Sequence, residues 1–280
     1  MDKRNILFIG GDERQIFCAK MLYDCGYEVS LFGFEKYNDI PPELIIFHNL
    51  KIAVILADVI ILPTPLIYEG ALFAPYSQET LKKEDVLQYI TQEKIVFGGK
   101  YDYASQQEFS AKKIEYHDFL GNEEVTLQNA YLTAEGTVEK MMAVSKEALF
   151  QKSVLIIGFG RIAKCLLRLL SAFKMNVSVA ARKKSDLTIA KLLGAKSKHI
   201  SQLGNLSGYD YIINTVPAKI IEKQTCEALK VPFIDLARKD KIKNENYIIF
   251  SSVPGKYAPQ SAGEICADFV CEQLREGKHE

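Results

Sequence analysis

Val154-Leu155-Ile156-Ile157 is an unbroken apolar run that stops at Gly158-Phe159-Gly160-Arg161-Ile162-Ala163, and apolar residues then recur at helical spacing as far as Leu170. A short apolar run bounded by glycine reads as a buried strand, and the stretch after it reads as an amphipathic helix. Between them stands G-x-G-x-x-A, with a second strand, Val177–Ala180, following within about 20 residues, as a βαβ dinucleotide fingerprint requires. Each small residue has a task there. Gly158 permits the tight turn, Gly160 lets the backbone approach a pyrophosphate, and Ala163 lets the helix lie close to the sheet. The helix amides and dipole then favour the phosphates. The plainer alternative is a tight strand–helix packing with no ligand.

The second strand bears on which dinucleotide is held. An NAD site usually ends this strand with an acid that binds the ribose 2′-hydroxyl. Here it ends Ala181-Arg182-Lys183-Lys184. A small residue followed by arginine leaves room for a 2′-phosphate and offers a planar cation to pair with it, so NADP is expected, with NAD possible. A solvated basic turn is the alternative. Asn214-Thr215-Val216-Pro217 and Asp235-Leu236 close two further strands, at the carboxyl ends where polar groups line a ligand crevice. Asn214 and Thr215 are expected either to contact ribose or carboxamide, or to cap the next helix. The expected cofactor set is therefore Gly158, Phe159, Gly160, Arg161, Ile162, Ala181, Arg182, Lys183, Asn214 to Pro217, Asp235 and Leu236.

The first half of the chain alternates in the same way. Strands are expected at Ile6–Ile9, Glu28–Phe32, Val59–Leu62, Ile95–Phe97 and Ile114–Tyr116. Helices are expected at Glu13–Cys25, Thr80–Ile90 and Tyr103–Lys113. Residues 123–150 read as mainly helical with an interruption around Thr133 to Gly136, and Ala258–Glu276 reads as a closing helix. Alternating strands and helices imply parallel sheets covered on both faces. The expected fold is α/β: a flavodoxin-like first lobe over 1–125, a connecting helix over 126–150, a Rossmann-type doubly wound lobe over 151–255, and a C-terminal helix over 256–280 that returns to the first lobe.

Composition narrows the function further. Thirty-five basic side chains balance 35 acidic ones, so no global field favours a nucleic acid partner. No apolar stretch approaches the length of a bilayer span, and Ile6–Ile9 reads as a strand and not as a signal peptide core. Cys18, Cys25, Cys165, Cys226, Cys266 and Cys271 form no Cys-x-x-Cys pair and have no histidine at ligand spacing, so no metal is expected and a reducing cytoplasm is the natural compartment. Of the histidines, His48, His199 and His279 suggest no chemistry, and His117 alone stands beside an acid at a strand end.

Several strings then resemble the dipicolinate synthase A-subunit family nearly end to end: Gly10-Gly11-Asp12 with Arg14, Asn129-Ala130-Tyr131-Leu132-Thr133-Ala134-Glu135-Gly136, Asn214 to Ala218, and Val253-Pro254-Gly255-Lys256 before Ala258-Pro259 and Ala262-Gly263. The wider architecture is similar to D-2-hydroxyacid dehydrogenases, although no catalytic histidine of that group can be placed. The resemblance implies oxidation of a dihydrodipicolinate to pyridine-2,6-dicarboxylate with a nicotinamide acceptor, in sporulation, beside a second, flavoprotein-like B-subunit. Two positions depart from the family pattern. Arg238-Lys239-Asp240 stands where a small residue and glycines are expected, and Tyr257 stands where a smaller aliphatic residue is expected.

A ring dicarboxylate needs cations or amide donors at both ends, and hydride loss needs a partner for the proton. Arg14, Glu135 and Lys256 are the expected catalytic residues. Gly10, Gly11, Asp12, Thr64, Thr133, Gly136 and Gly255 complete the substrate set. In this reading the Gly10-Gly11-Asp12 amides and Arg14 converge on one carboxylate, while Lys256 holds the other or assists proton transfer. Plainer alternatives are a surface arginine, a solvated loop lysine, a helix N-terminal acid at Glu135 and an N-cap at Asp12. Competing functions are another keto- or amino-acid dehydrogenase and a non-catalytic regulatory protein that binds the cofactor. All of these are compatible with a homo-oligomer.

Overall fold

The structure, a computed structural model, describes residues 4–204, 206–238 and 242–276; Lys239, Asp240 and His279 lie outside them. Two compact units emerge, residues 1–128 with 258–280, and residues 129–257.

The first unit runs β1 (Asn5–Ile9), α1 (Glu13–Asp24), β2 (Glu28–Phe32), β3 (Ile45–Ile46), α2 (Leu50–Leu56), β4 (Val59–Ile61), β5 (Ile67–Tyr68), β6 (Ala71–Leu72), α3 (Lys83–Leu87), β7 (Ile95–Gly98), α4 (Tyr103–Ala111) and β8 (Glu115–Asp118). Its six-stranded sheet has the order β3-β2-β1-β4-β7-β8 and is parallel throughout; β5 and β6 form a separate hairpin. Strand side chains alternate between two faces, and here both are buried. Ile6, Phe8, Leu31 and Ile61 pack toward Ile16 and Leu22 of α1, while Leu7, Ile9, Ile60 and Val96 pack toward Val54 and Phe109.

The 22-residue α5 (Glu123–Val144) leads into the second unit. There follow β9 (Ser153–Ile157), α6 (Arg161–Ala172), β10 (Asn176–Ala181), α7 (Lys184–Leu192), β11 (Lys196–His199), β12 (Tyr211–Asn214), α8 (Lys223–Glu227), β13 (Phe233–Asp235), β14 (Tyr247–Ile249) and α9 (Val253–Tyr257). The order β11-β10-β9-β12-β13-β14, all parallel, reverses direction between β10 and β12 on either side of β9, which makes the end of β9 a topological switch point. One face buries Val154, Ile156 and Val179 under Ala163, Leu166 and Leu170 of α6; the other buries Leu155, Ile157 and Ile212. The closing helix α10 (Pro259–Glu276) belongs to the first unit, where Ala267, Val270 and Leu274 join the core that includes α1.

Three expectations are corrected. The break at Thr133 to Gly136 is absent, because Thr133 and Thr137 donate their hydroxyls to the carbonyls of Asn129 and Thr133 at 2.7 Å and remain within the helix. The helix expected over Thr80–Ile90 contracts to Lys83–Leu87, which begins at Lys82 without a side-chain cap. The supposed loop at Pro254-Gly255-Lys256 is the short helix α9.

Candidate functional site

The two sheets open their carboxyl edges with glycine turns that are chemically opposite. After β1, every amide of the turn is already used. Gly10 N donates to Phe32 O at 2.9 Å, Gly11 N to Phe73 O at 2.8 Å, and Asp12 N to the Gln15 side chain at 2.9 Å. Asp12 is the N-cap of α1 and forms a reciprocal capping box with Gln15. The expectation that these amides converge on an anion is therefore corrected, since the helix start has satisfied its own donors. The pattern Asp12-x-x-Gln15 was the sequence signal for this closure.

What remains at that edge is a side-chain arrangement. Arg14 grips Asp12 through Nε at 2.8 Å and Nη2 at 2.9 Å, and Nη2 also donates to the Thr64 carbonyl at 2.6 Å. Its guanidinium is fixed in place, and among the described residues Nη1 has no acceptor. The buried Thr64 hydroxyl has no hydrogen-bond partner among them either.

After β9 the helix start is open. Gly158 N donates to Ala180 O at 2.8 Å, but Gly160 is the N-cap of α6 and no side chain caps that helix. Gly158 has φ +100°, and a β-carbon there would collide with the Thr215 hydroxyl and Val216. A β-carbon on Gly160 would meet nothing within 4 Å. An uncapped N-terminus behind a glycine with open space in front of it is the shape that a pyrophosphate occupies. Ala163 is fully buried beneath it and Phe159 packs into the core, while Arg161 is exposed and Ile162 half-buried. At the end of β10, Ala181 is buried and Arg182 and Lys183 are exposed, with no acid between them and Lys184. The residues present fit a nicotinamide dinucleotide.

Asn214 and Asp235 behave differently from expectation. They are 3% and 0% exposed, and their side chains meet each other at 3.0 Å inside the sheet edge. They hold loops and do not present polar atoms outward. Thr215 donates its amide and hydroxyl to Ile157 O at 2.9 and 2.8 Å; Val216 and Leu236 are half-buried and Pro217 is exposed.

The other sequence candidates are dispersed. Thr133 spends its hydroxyl on its own helix, and a β-carbon on Gly136 would strike Val253 and Tyr257, so this glycine lets α9 approach α5. Glu135 is half-buried, without an ion pair among the described residues, in a groove of about 560 Å³ walled by Val138, Met142, Leu169, Phe173 and Tyr257. Gly255 is half-buried in α9 and Lys256 is exposed beside it. His117 stacks on Phe97 with ring centroids 4.7 Å apart and pairs with Glu115 at 2.9 Å, which accounts for it structurally. Among the described residues no disulfide joins the cysteines and no metal-binding cluster occurs.

Comparison with known proteins agrees with this division. Residues 5–120 match the N-terminal domain of the dipicolinate synthase A-subunit, and residues 122–247 match the D-isomer specific 2-hydroxyacid dehydrogenase NAD binding domain. The chain is an NAD(P)-dependent oxidoreductase built from these two domains. This oxidoreductase is similar to the dipicolinate synthase A-subunit from Bacillus halodurans, with a TM-score of 0.83 and 23% identity, covering 97% of each chain. It is equally similar to the corresponding dipicolinate synthase chain from Bacillus subtilis, with a TM-score of 0.82 and 23% identity, covering 100% of this chain and 99% of that one. A transhydrogenase from Sinorhizobium meliloti follows at a TM-score of 0.66 and 14% identity, covering 96% and 93%. At such identities the likeness is one of fold. No curated protein sequence matches the oxidoreductase. Among the described residues no helix is long and apolar enough to cross a membrane.

Proposed function

We propose that the chain is the NADP-dependent dehydrogenase component of a dipicolinate synthase, oxidising dihydrodipicolinate to pyridine-2,6-dicarboxylate in the cytoplasm during sporulation. The observation that carries this reading is the Arg14 guanidinium fixed by Asp12 and the Thr64 carbonyl, inside the segment that matches the dipicolinate synthase domain. Arg14 Nη1 takes one ring carboxylate.

The open start of α6 holds the pyrophosphate, and Arg182 pairs with the 2′-phosphate next to the small Ala181. When bound, the nicotinamide accepts the hydride, and aromatisation of the substrate ring supplies driving force. A flavoprotein-like B-subunit is the proposed partner. The test incubates the full chain, alone and with that partner, with dihydrodipicolinate and NADP, and follows the pyridine product. Stoichiometric formation of dipicolinate and NADPH is expected. Oxidation of other keto or amino acids with none of this product overturns the substrate assignment.

A further inference from the structure

We propose that Tyr247, on the edge strand β14, is a positioning residue for the dinucleotide loop and acts on it through Asp235 and Asn214. The inference rests on the second unit holding a nicotinamide dinucleotide.

The route is continuous. The ring of Tyr247, 8% exposed, stacks on Phe233 with centroids 5.0 Å apart, and its hydroxyl donates to Asp235 Oδ2 at 2.5 Å. The other carboxylate oxygen accepts from Asn214 Nδ2 at 3.0 Å and from the amides of Ala237 and Arg238 at 3.0 and 2.9 Å. Asn214 clasps the next turn, accepting from Val216 N at 3.1 Å and donating to Val216 O at 3.0 Å. Val216 and Thr215 in turn press against Gly158, where any β-carbon would collide with them. Three strand ends, β12, β13 and β14, are thereby tied to the first glycine of the fingerprint.

A fully buried carboxylate is tolerated only when its lone pairs are met, and Tyr247 is the donor to its second oxygen. Burial first, and then the bond to Asp235, push the phenol well above its ordinary range. Removing the hydroxyl leaves Oδ2 of this buried carboxylate without its donor, so Asp235 shifts on its three remaining bonds, and Asn214, Val216 and the Gly158 turn shift with it.

The test is calorimetric titration of NADPH into the full chain and into Tyr247→Phe, which retains the stacked ring, alongside thermal melting. The expected result is a Kd raised roughly fivefold or more with a small change in melting temperature, whereas a purely structural role lowers the melting temperature and leaves Kd unchanged. In an Asn214→Ala background, Tyr247→Phe is expected to add almost nothing, because the route is already cut. Val216→Ala, which loosens the far end while leaving the donors to Asp235 in place, is expected to raise Kd as well. An unchanged Kd in Tyr247→Phe or Val216→Ala, or full additivity with Asn214→Ala, overturns the proposal. Absence of NADPH binding by the unmodified chain removes the cofactor reading itself, and this inference with it.

Discussion

Gly158 and Thr215 touch across the switch point of the second sheet so closely that the glycine cannot carry a side chain without displacing the threonine hydroxyl from the Ile157 carbonyl. Two residues along the chain, Gly160 faces open space. The two glycines of one fingerprint therefore do separable work, and substitution distinguishes them. Gly158→Ala is expected to cost on the order of 1–3 kcal/mol of stability, from positive φ and from collision. Gly160→Val, whose backbone is extended, is expected to melt with the unmodified chain and yet lose dinucleotide binding, since the side chain stands where the pyrophosphate must come. Calorimetry and melting on both variants check this. Retained micromolar binding by Gly160→Val would mean that the loop has only a structural role.

Arg14 is expected to govern substrate and not cofactor. Arg14→Met should raise the Michaelis constant for the dicarboxylate and leave Kd for NADPH nearly unchanged. Because Arg14 also neutralises Asp12, stability should be read beside kinetics, and Asp12→Asn with Arg14→Met separates the two effects. Wild-type kinetics in Arg14→Met would reduce Arg14 to a partner of Asp12 and Thr64.

Stability is expected to fall in alkali. The Cys18 thiol is pushed well upward, chiefly by burial, and burial pushes Cys266 up to about 11. Above an unfolded thiol pKa of about 8.5, the unfolded chain releases protons that the folded chain keeps. The thiol contribution is thus fully present below that pH and is lost as pH rises toward the folded values. Denaturant melts between neutral pH and pH ~10 should show the decline, and Cys18→Ala should flatten it. An equal slope in both proteins would assign it to other groups.

The main strands were legible because β1, β4, β9 and β12 are apolar runs bounded by turn residues, and parallel sheets covered on both faces require such runs. Edge strand β11, Lys196–His199, was not legible, since its polar residues lack both alternation and an apolar run. Nor was α2, which leaves Ile52, Ile55 and Leu56 exposed and so blurs the helical stripe. The glycine fingerprint announced the strand, the tight turn and the helix from β9 to α6. The fate of Asn214 and Asp235 was hidden, because residue types alone do not say that two polar strand ends 21 positions apart face each other and not a ligand. The capping box at Asp12 and Gln15 was readable, and it is what closes the first helix start to anions.

The most direct measurement is a paired titration of NADPH and NADH into the unmodified chain and Arg182→Ala. Arg182 stands exposed at the end of β10, where an acid would otherwise hold a 2′-hydroxyl, and an arginine–phosphate pair contributes about 1.5–3 kcal/mol, or roughly 10- to 100-fold in affinity. The expected result is tighter binding of NADPH than NADH by the unmodified chain, with Arg182→Ala losing that margin while its NADH affinity stays the same. Equal losses for both cofactors, or no loss for either, would contradict NADP binding at the end of β10.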